Sequence, residues 1–183
     1  MGEFMEALTK HVEWRREAND HWDWWAWQVV NGEVLGTMYF YSGEHAWEDL
    51  DAYEDFEGGD QFNMTVGPLV AEASSWIDVM DESITHWHPE PQKINYLSII
   101  EWQLKPGAQG DFKEVISKYH KVLRENDHPG YYGFPWTING GDGGVAVLLL
   151  PYESWADMKQ PEETMQELLY RVLGEEEAKK LDK

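Results

Sequence analysis

Displaced by 108 residues, the sequence matches itself. Gly2/Gly110, Phe4/Phe112, Glu6/Glu114, Lys10/Lys118, Arg16/Arg124, Glu17/Glu125, Asn31/Asn139, Gly32/Gly140, Gly36/Gly144, Trp47/Trp155, Asp49/Asp157 and Glu54/Glu162 are identical pairs. These are twelve identities over the 53 positions from 2 to 54 with no gap, where roughly three would arise by chance at about 6% random identity. The chain is therefore read as two copies of one unit, residues 1–91 and 92–183, meeting at the polar, turn-forming stretch His88 to Lys93. Any fold proposed for it has to be one small unit used twice.

The second copy spells that unit more clearly. INYLSIIEWQL, Ile94 to Leu104, is rich in β-branched and aromatic residues and stops at Lys105-Pro106-Gly107, so it predicts a strand. Phe112, Val115, Ile116, Tyr119 and Leu123 then fall on one face of a 3.6-residue period, which predicts a helix. YYGFPWTI and GVAVLLL flank the glycine-rich run Asn139 to Gly143, where positive φ costs nothing, and predict a hairpin. Pro151 and the segment Tyr152 to Trp155 are read as opening a second helix. In the first copy the order repeats from Phe4 onward: a helix, the strand WDWWAWQVV, a turn at Asn31-Gly32, the strand GTMYFY and a helix around Trp47. A helical insertion is expected at about 67–82, followed by ITHWHP, Ile84 to Pro89, as a short strand. The full unit is thus βαββαβ, the ferredoxin-like arrangement, and the fold class is α+β. On this alignment the first strand of unit 1 would precede Gly2 and the last strand of unit 2 would follow Lys183, which implies a longer chain or a partner that supplies them.

Charge and composition narrow the functional classes. The sequence sets 14 Lys and Arg against 35 Asp and Glu, a net charge of -21 that repels phosphate backbones and anionic lipid, so nucleic acid and membrane surfaces are not expected partners. There is no cysteine, hence no disulfide or thiolate nucleophile. No apolar run approaches the ~20 residues of a membrane span and no export signal is recognisable at Met1, so the chain reads as a soluble one.

Two tandem βαββαβ units, with the Asn139 to Gly144 hairpin leading into an apolar strand and the Pro-x-x-x-Trp-Ala-Asp turn of PYESWAD, resemble the dimeric α+β-barrel superfamily. Antibiotic-biosynthesis monooxygenase-like proteins and uncharacterised environmental proteins belong to it. The resemblance implies two sheets packed face to face into a barrel, here within one chain, with pockets between each sheet and its own helices. It also implies several disparate activities, among which fold alone does not choose.

The candidate site residues are aromatic and histidine. Four tryptophans crowd His21 to Trp27, and alternation puts Trp25 and Trp27 on one strand face with Trp22 and Trp24 on the other. Such a strand serves sheet packing, or forms the aromatic wall of a ligand pocket; in the second case Trp25, Trp27, Trp47, Trp136 and Trp155 are the candidate ligand-binding residues. Trp47/Trp155 and Asp49/Asp157 recur with the unit, which reads first as a packing anchor and its polar partner. His21 and His128 each follow a helix in an Asn-Asp-His triplet, and His11 lies on an apolar helix face; a histidine beside a carboxylate can act as a general base, and it can equally cap a helix. His86 and His88, two apart on a strand, share a face that a metal could use with His45 or a carboxylate, but no metal motif accompanies them and none is assigned. The hairpin glycines lack the following helix of a phosphate site, and no cofactor is implied.

Three functions follow: binding of a small apolar or aromatic ligand in an aromatic pocket; cofactor-independent oxygenation or isomerisation of an aromatic or polyketide-like substrate, with His11, His21 or His128 as base; or self-assembly through open strand edges into a homo-oligomer.

Overall fold

The computed structural model describes residues 2–53, 58–141 and 143–181; Glu54, of the pair Glu54/Glu162, and Asp142, in the hairpin run, lie outside them. Internal contacts divide the chain into two compact units, Met1–Ala73 and Ser74–Lys183. The Pro-rich stretch at 88–93 lies inside the second.

In the first unit, α1 (Gly2–Glu17) buries Leu8 and His11, three residues apart on one helix face. It is followed by the antiparallel pair β1 (Trp25–Gln28) and β2 (Met38–Tyr41), then α2 (Trp47–Tyr53) and α3 (Gly58–Thr65). A single 3-10 turn, Gly67–Leu69, ends this unit's regular structure.

The second unit carries β3 (Trp76–Met80), β4 (Tyr96–Gln103), α4 (Gln109–Glu125), β5 (Pro135–Gly140), β6 (Val145–Tyr152), α5 (Met165–Leu173) and α6 (Glu175–Leu181). Strands β3 and β5 pair antiparallel, as do β4 and β6, and an isolated bridge Gly133–Leu149 ties the chain entering β5 to β6. The α4 face expected from its periodicity is the buried one: Phe112, Ile116 and Tyr119 pack on a core of Ile84, Val122, Leu123, Tyr132, Phe134, Leu148, Leu168, Leu169 and Ala178. A reciprocal Thr164–Glu167 capping box starts α5, and Gly174, at φ 81°, stops it.

The α+β class stands, and four expectations are corrected. The described strands form three two-stranded antiparallel sheets and close no barrel. The expected helix at about 67–82 is the 3-10 turn at Gly67–Leu69 followed by β3, because Trp76, Ile77 and Val79 favour a strand and β5 offers them a partner. Gly140 permits that pairing: a Cβ there would stand 2.3 Å from the Ser75 carbonyl oxygen. ITHWHP is a 3-10 turn at Glu82–Ile84, capped by Asp81, and a lone bridge from His86 to Tyr132 rather than a strand. Pro151 lies inside β6, and after it comes only a 3-10 turn, Trp155–Met158; the α-helix waits until Met165, beyond Pro161, which denies a helix its backbone donor.

The 108-residue spacing recurs in the backbone of the two units. Positive φ falls at Asn19 and Asp127, at Gly32 and Gly140, and at Gly36 and Gly144. Asp49 accepts from the Ala46 amide at 2.8 Å, and Asp157 from the Ser154 amide at 2.8 Å. The Trp25–Tyr41 register of β1 and β2 becomes, with 108 added to each number, the Gly133–Leu149 bridge.

Candidate functional site

Antiparallel pairing sets Trp25 opposite Tyr41 and Trp27 opposite Tyr39. Because side chains alternate across a strand, these four rings share one face of the β1–β2 ribbon. Ala26 and Phe40 occupy the other face, where Phe40 meets Phe62 of α3 edge-on at 6.3 Å. The aromatic face is therefore the one turned from α3. Trp25 is 42% exposed and Tyr41 54%, with Trp27 and Tyr39 half-buried between. With 108 added, the same positions in the second unit are Gly133, Pro135, Val147 and Leu149, none of them aromatic.

Beneath the helix-facing side lies a polar network. The Arg15 guanidinium donates from Nε to Asp20 Oδ2 at 2.7 Å, from Nη1 to His11 Nε2 at 3.1 Å and from Nη2 to the Tyr53 hydroxyl. It also lies 4.9 Å from the centroid of Trp24. Trp22 stacks on Tyr53 at 3.6 Å and on His45 at 3.8 Å, and His45 Nε2 meets Ser42 Oγ at 2.7 Å. An arginine has only donors, so His11 Nε2 must accept and Nδ1 must carry the proton it gives Gln61 Oε1. Burial, then the Arg15 charge, lowers the His11 pKa. His11 is thus a neutral imidazole with no lone pair left for a substrate proton.

The other candidates are dispersed. His21 is exposed, with its ring edge on Tyr53. Its apparent likeness to His128 is displaced by one residue: the Asp20 amide bonds the Arg15 carbonyl and the His128 amide the Leu123 carbonyl, both at 3.0 Å, so His128 matches Asp20. His128 Nδ1 accepts the Gly130 amide at 3.1 Å, which puts the proton on Nε2, and that nitrogen is buried with no partner among the described residues. Burial lowers the His128 pKa. Trp136 donates from Nε1 to Asp81 at 2.9 Å and lines an open cleft of about 440 Å³ with Pro106, Ile138 and Val145. Trp47 and Trp155 are both 59% exposed, too open to anchor packing, although Trp155 touches Tyr96 at 4.9 Å.

Several further residues belong to these clusters. Tyr39 and Tyr41 alternate with Met38 and Phe40 in GTMYFY, a readable period of two. Arg15 stands four residues after His11 on the face of Leu8, a readable helix spacing. In the second unit His120 Nδ1 meets the Tyr132 hydroxyl at 3.1 Å, and His86 and His88 both face Tyr131, at 4.9 and 4.6 Å. Burial, then Arg124, lowers the pKa of both His86 and His120, and burial pushes Tyr132 up to about 12. Among the described residues no group of three or more His, Asp or Glu is placed to hold a metal ion. No described helix is long and apolar enough to cross a membrane.

Fold and site together define an α+β protein with an aromatic strand face in one unit and a histidine–tyrosine cluster in the other. No family model, curated protein or solved structure matches the chain.

Proposed function

We propose that the first unit binds a flat, apolar, aromatic small molecule on the β1–β2 face. The observation that carries this reading is the convergence of Trp25, Trp27, Tyr39 and Tyr41 on one half-exposed surface, since rings held on paired strands stack a flat ligand at little cost in side-chain ordering. A net charge of -21 favours neutral or cationic ligands over anionic ones. Binding stands ahead of cofactor-independent oxygenation or isomerisation because the histidine nearest this unit's core, His11, has both ring nitrogens engaged. The fold proposal that accompanies it is that both units are versions of one ferredoxin-like element of the α+β-barrel superfamily, supported by the strand register and the three positive-φ pairs that recur at 108 residues.

The test is a titration with 2-naphthol, a neutral flat phenol, followed by tryptophan fluorescence. Saturable quenching is expected, and Trp25→Ala should weaken it about threefold to tenfold, the worth of one aromatic contact. Trp76→Phe, in the second unit, should leave the affinity as it is. Quenching that Trp25→Ala does not weaken removes the proposal.

A further inference from the structure

We propose that the outer edge of β2 is an acceptor for a β-strand from a different protein, an extended apolar segment of the kind β4 presents to β6. The inference rests on the 108-residue equivalence and not on the aromatic face, so either can fail alone.

The edge is defined by backbone geometry. The Val29 amide donates to the Thr37 carbonyl at 2.9 Å and the Val29 carbonyl accepts from the Gly36 amide at 3.0 Å, so Val29–Thr37 holds the position of a hydrogen-bonded pair, made irregular by the turn. Such pairs alternate along an antiparallel ladder, so Trp27–Tyr39 and Trp25–Tyr41 bond one another, and the amides and carbonyls of Met38 and Phe40 point away from β1. In the second unit the same alternation holds. Leu149 and Gly133 exchange both bonds at 2.9 Å, which turns the backbone of Ala146 and Leu148 to the opposite side, and there β4 pairs with them through Trp102 and Ile100. Met38 and Phe40 stand 108 residues before Ala146 and Leu148. What β4 does for β6, no described strand does for β2.

The occupant follows from β4. It runs antiparallel, and its backbone supplies a donor and an acceptor at every second residue; at Trp102 its side chain reaches Phe112 of α4 at 5.7 Å. Phe4 holds the corresponding place on α1. Thr37 to Tyr41 contains no charge and no proline, so this short edge lacks two of the devices that keep strands from adding to it.

The probe is a capped synthetic peptide, INYLSIIEWQL, the sequence of residues 94–104. Added to the full chain, it should slow hydrogen exchange at the Met38 and Phe40 amides at least tenfold. Phe40→Pro should abolish that binding while Tyr39 and Tyr41 stay protected, because proline at 40 removes only an outward donor. Should that variant not fold, modified peptides decide the matter with the wild-type protein. N-methylation at the places of Ile100 and Trp102 should cost at least tenfold in affinity, and N-methylation at those of Ile99 and Glu101 little. Equal losses from both peptides overturn the proposal, as does protection appearing in the second unit instead. Protection of Met38 and Phe40 that grows with protein concentration before any peptide is added overturns the assigned occupant, since a second copy then fills the edge.

Discussion

Arg15→Ala should lower the stability of the first unit by about 3–5 kcal/mol, the cost of removing one partner from a buried ion pair. The substitution deletes the only described cation within 4 Å of the Asp20 carboxylate, whose side chain is 3% exposed. It also leaves His11 Nε2 without its donor and the half-buried Tyr53 hydroxyl without the guanidinium, so three polar groups lose a partner at once. Asp20 retains the Trp22 amide on Oδ1, at 3.0 Å, which holds the turn but does not balance the charge. Asp20→Asn in the Arg15→Ala background should recover part of the loss, because the uncompensated charge is then gone. Urea unfolding followed by tryptophan emission reads the change, as Trp22 and Trp24 lie on the network. A cost below ~1 kcal/mol would mean that solvent reaches Asp20 freely.

The helix from Gln109 to Glu125 was readable because its stabilising contacts repeat every turn, so Phe112, Ile116 and Leu123 declare their face in the sequence itself. The same holds for Trp25 and Trp27, whose shared face follows from spacing alone. That Tyr39 and Tyr41 complete this surface depends on the register between strands, a relation that one strand's pattern does not contain. WIDVM is ambiguous for a related cause: five residues fit a helical or an extended period about equally, and β5 decides between them. In the Asn-Asp-His triplets identical residues stand one position out of step with the backbone, where the left-handed residue is Asn19 in one unit and Asp127 in the other. The histidines illustrate the remaining gap. Its place on an apolar helix face marks His11 as a candidate base, whereas its chemistry is set by Arg15 four residues on and by Gln61, fifty residues away in sequence, which together consume both ring nitrogens.

Acid should weaken the second unit through Asp81. Burial alone would raise the pKa of this carboxyl, whose side chain is 9% exposed, but Lys113 at 2.5 Å, the Ser83 hydroxyl and the Trp136 indole bring it down to about 2, from the ordinary 3.8. A folded-state value below the unfolded one means that the unfolded chain binds the proton more readily. The stabilisation is therefore complete above the unfolded pKa and is lost as pH falls through the folded one. Over that interval the shift corresponds to about 2.5 kcal/mol at 1.36 kcal/mol per unit, an upper figure because Lys113 is itself 45% exposed to solvent. Asp81 tethers α4 through Lys113 and β5 through Trp136, and its Oδ1 accepts from the Ser83 amide to cap the turn at Glu82–Ile84. Protonation thus loosens the contacts among β5, α4 and Ile84, which belong to the unit's core. In urea titrations between pH 5 and pH 2, Asp81→Asn should be less stable than the wild type at pH 5, and the two curves should converge near pH 2. The indole of Trp136 reports the same step locally, its emission changing with pH in the wild type and remaining flat in Asp81→Asn. Parallel stability curves for the two proteins across that range would place the acid sensitivity elsewhere in the unit.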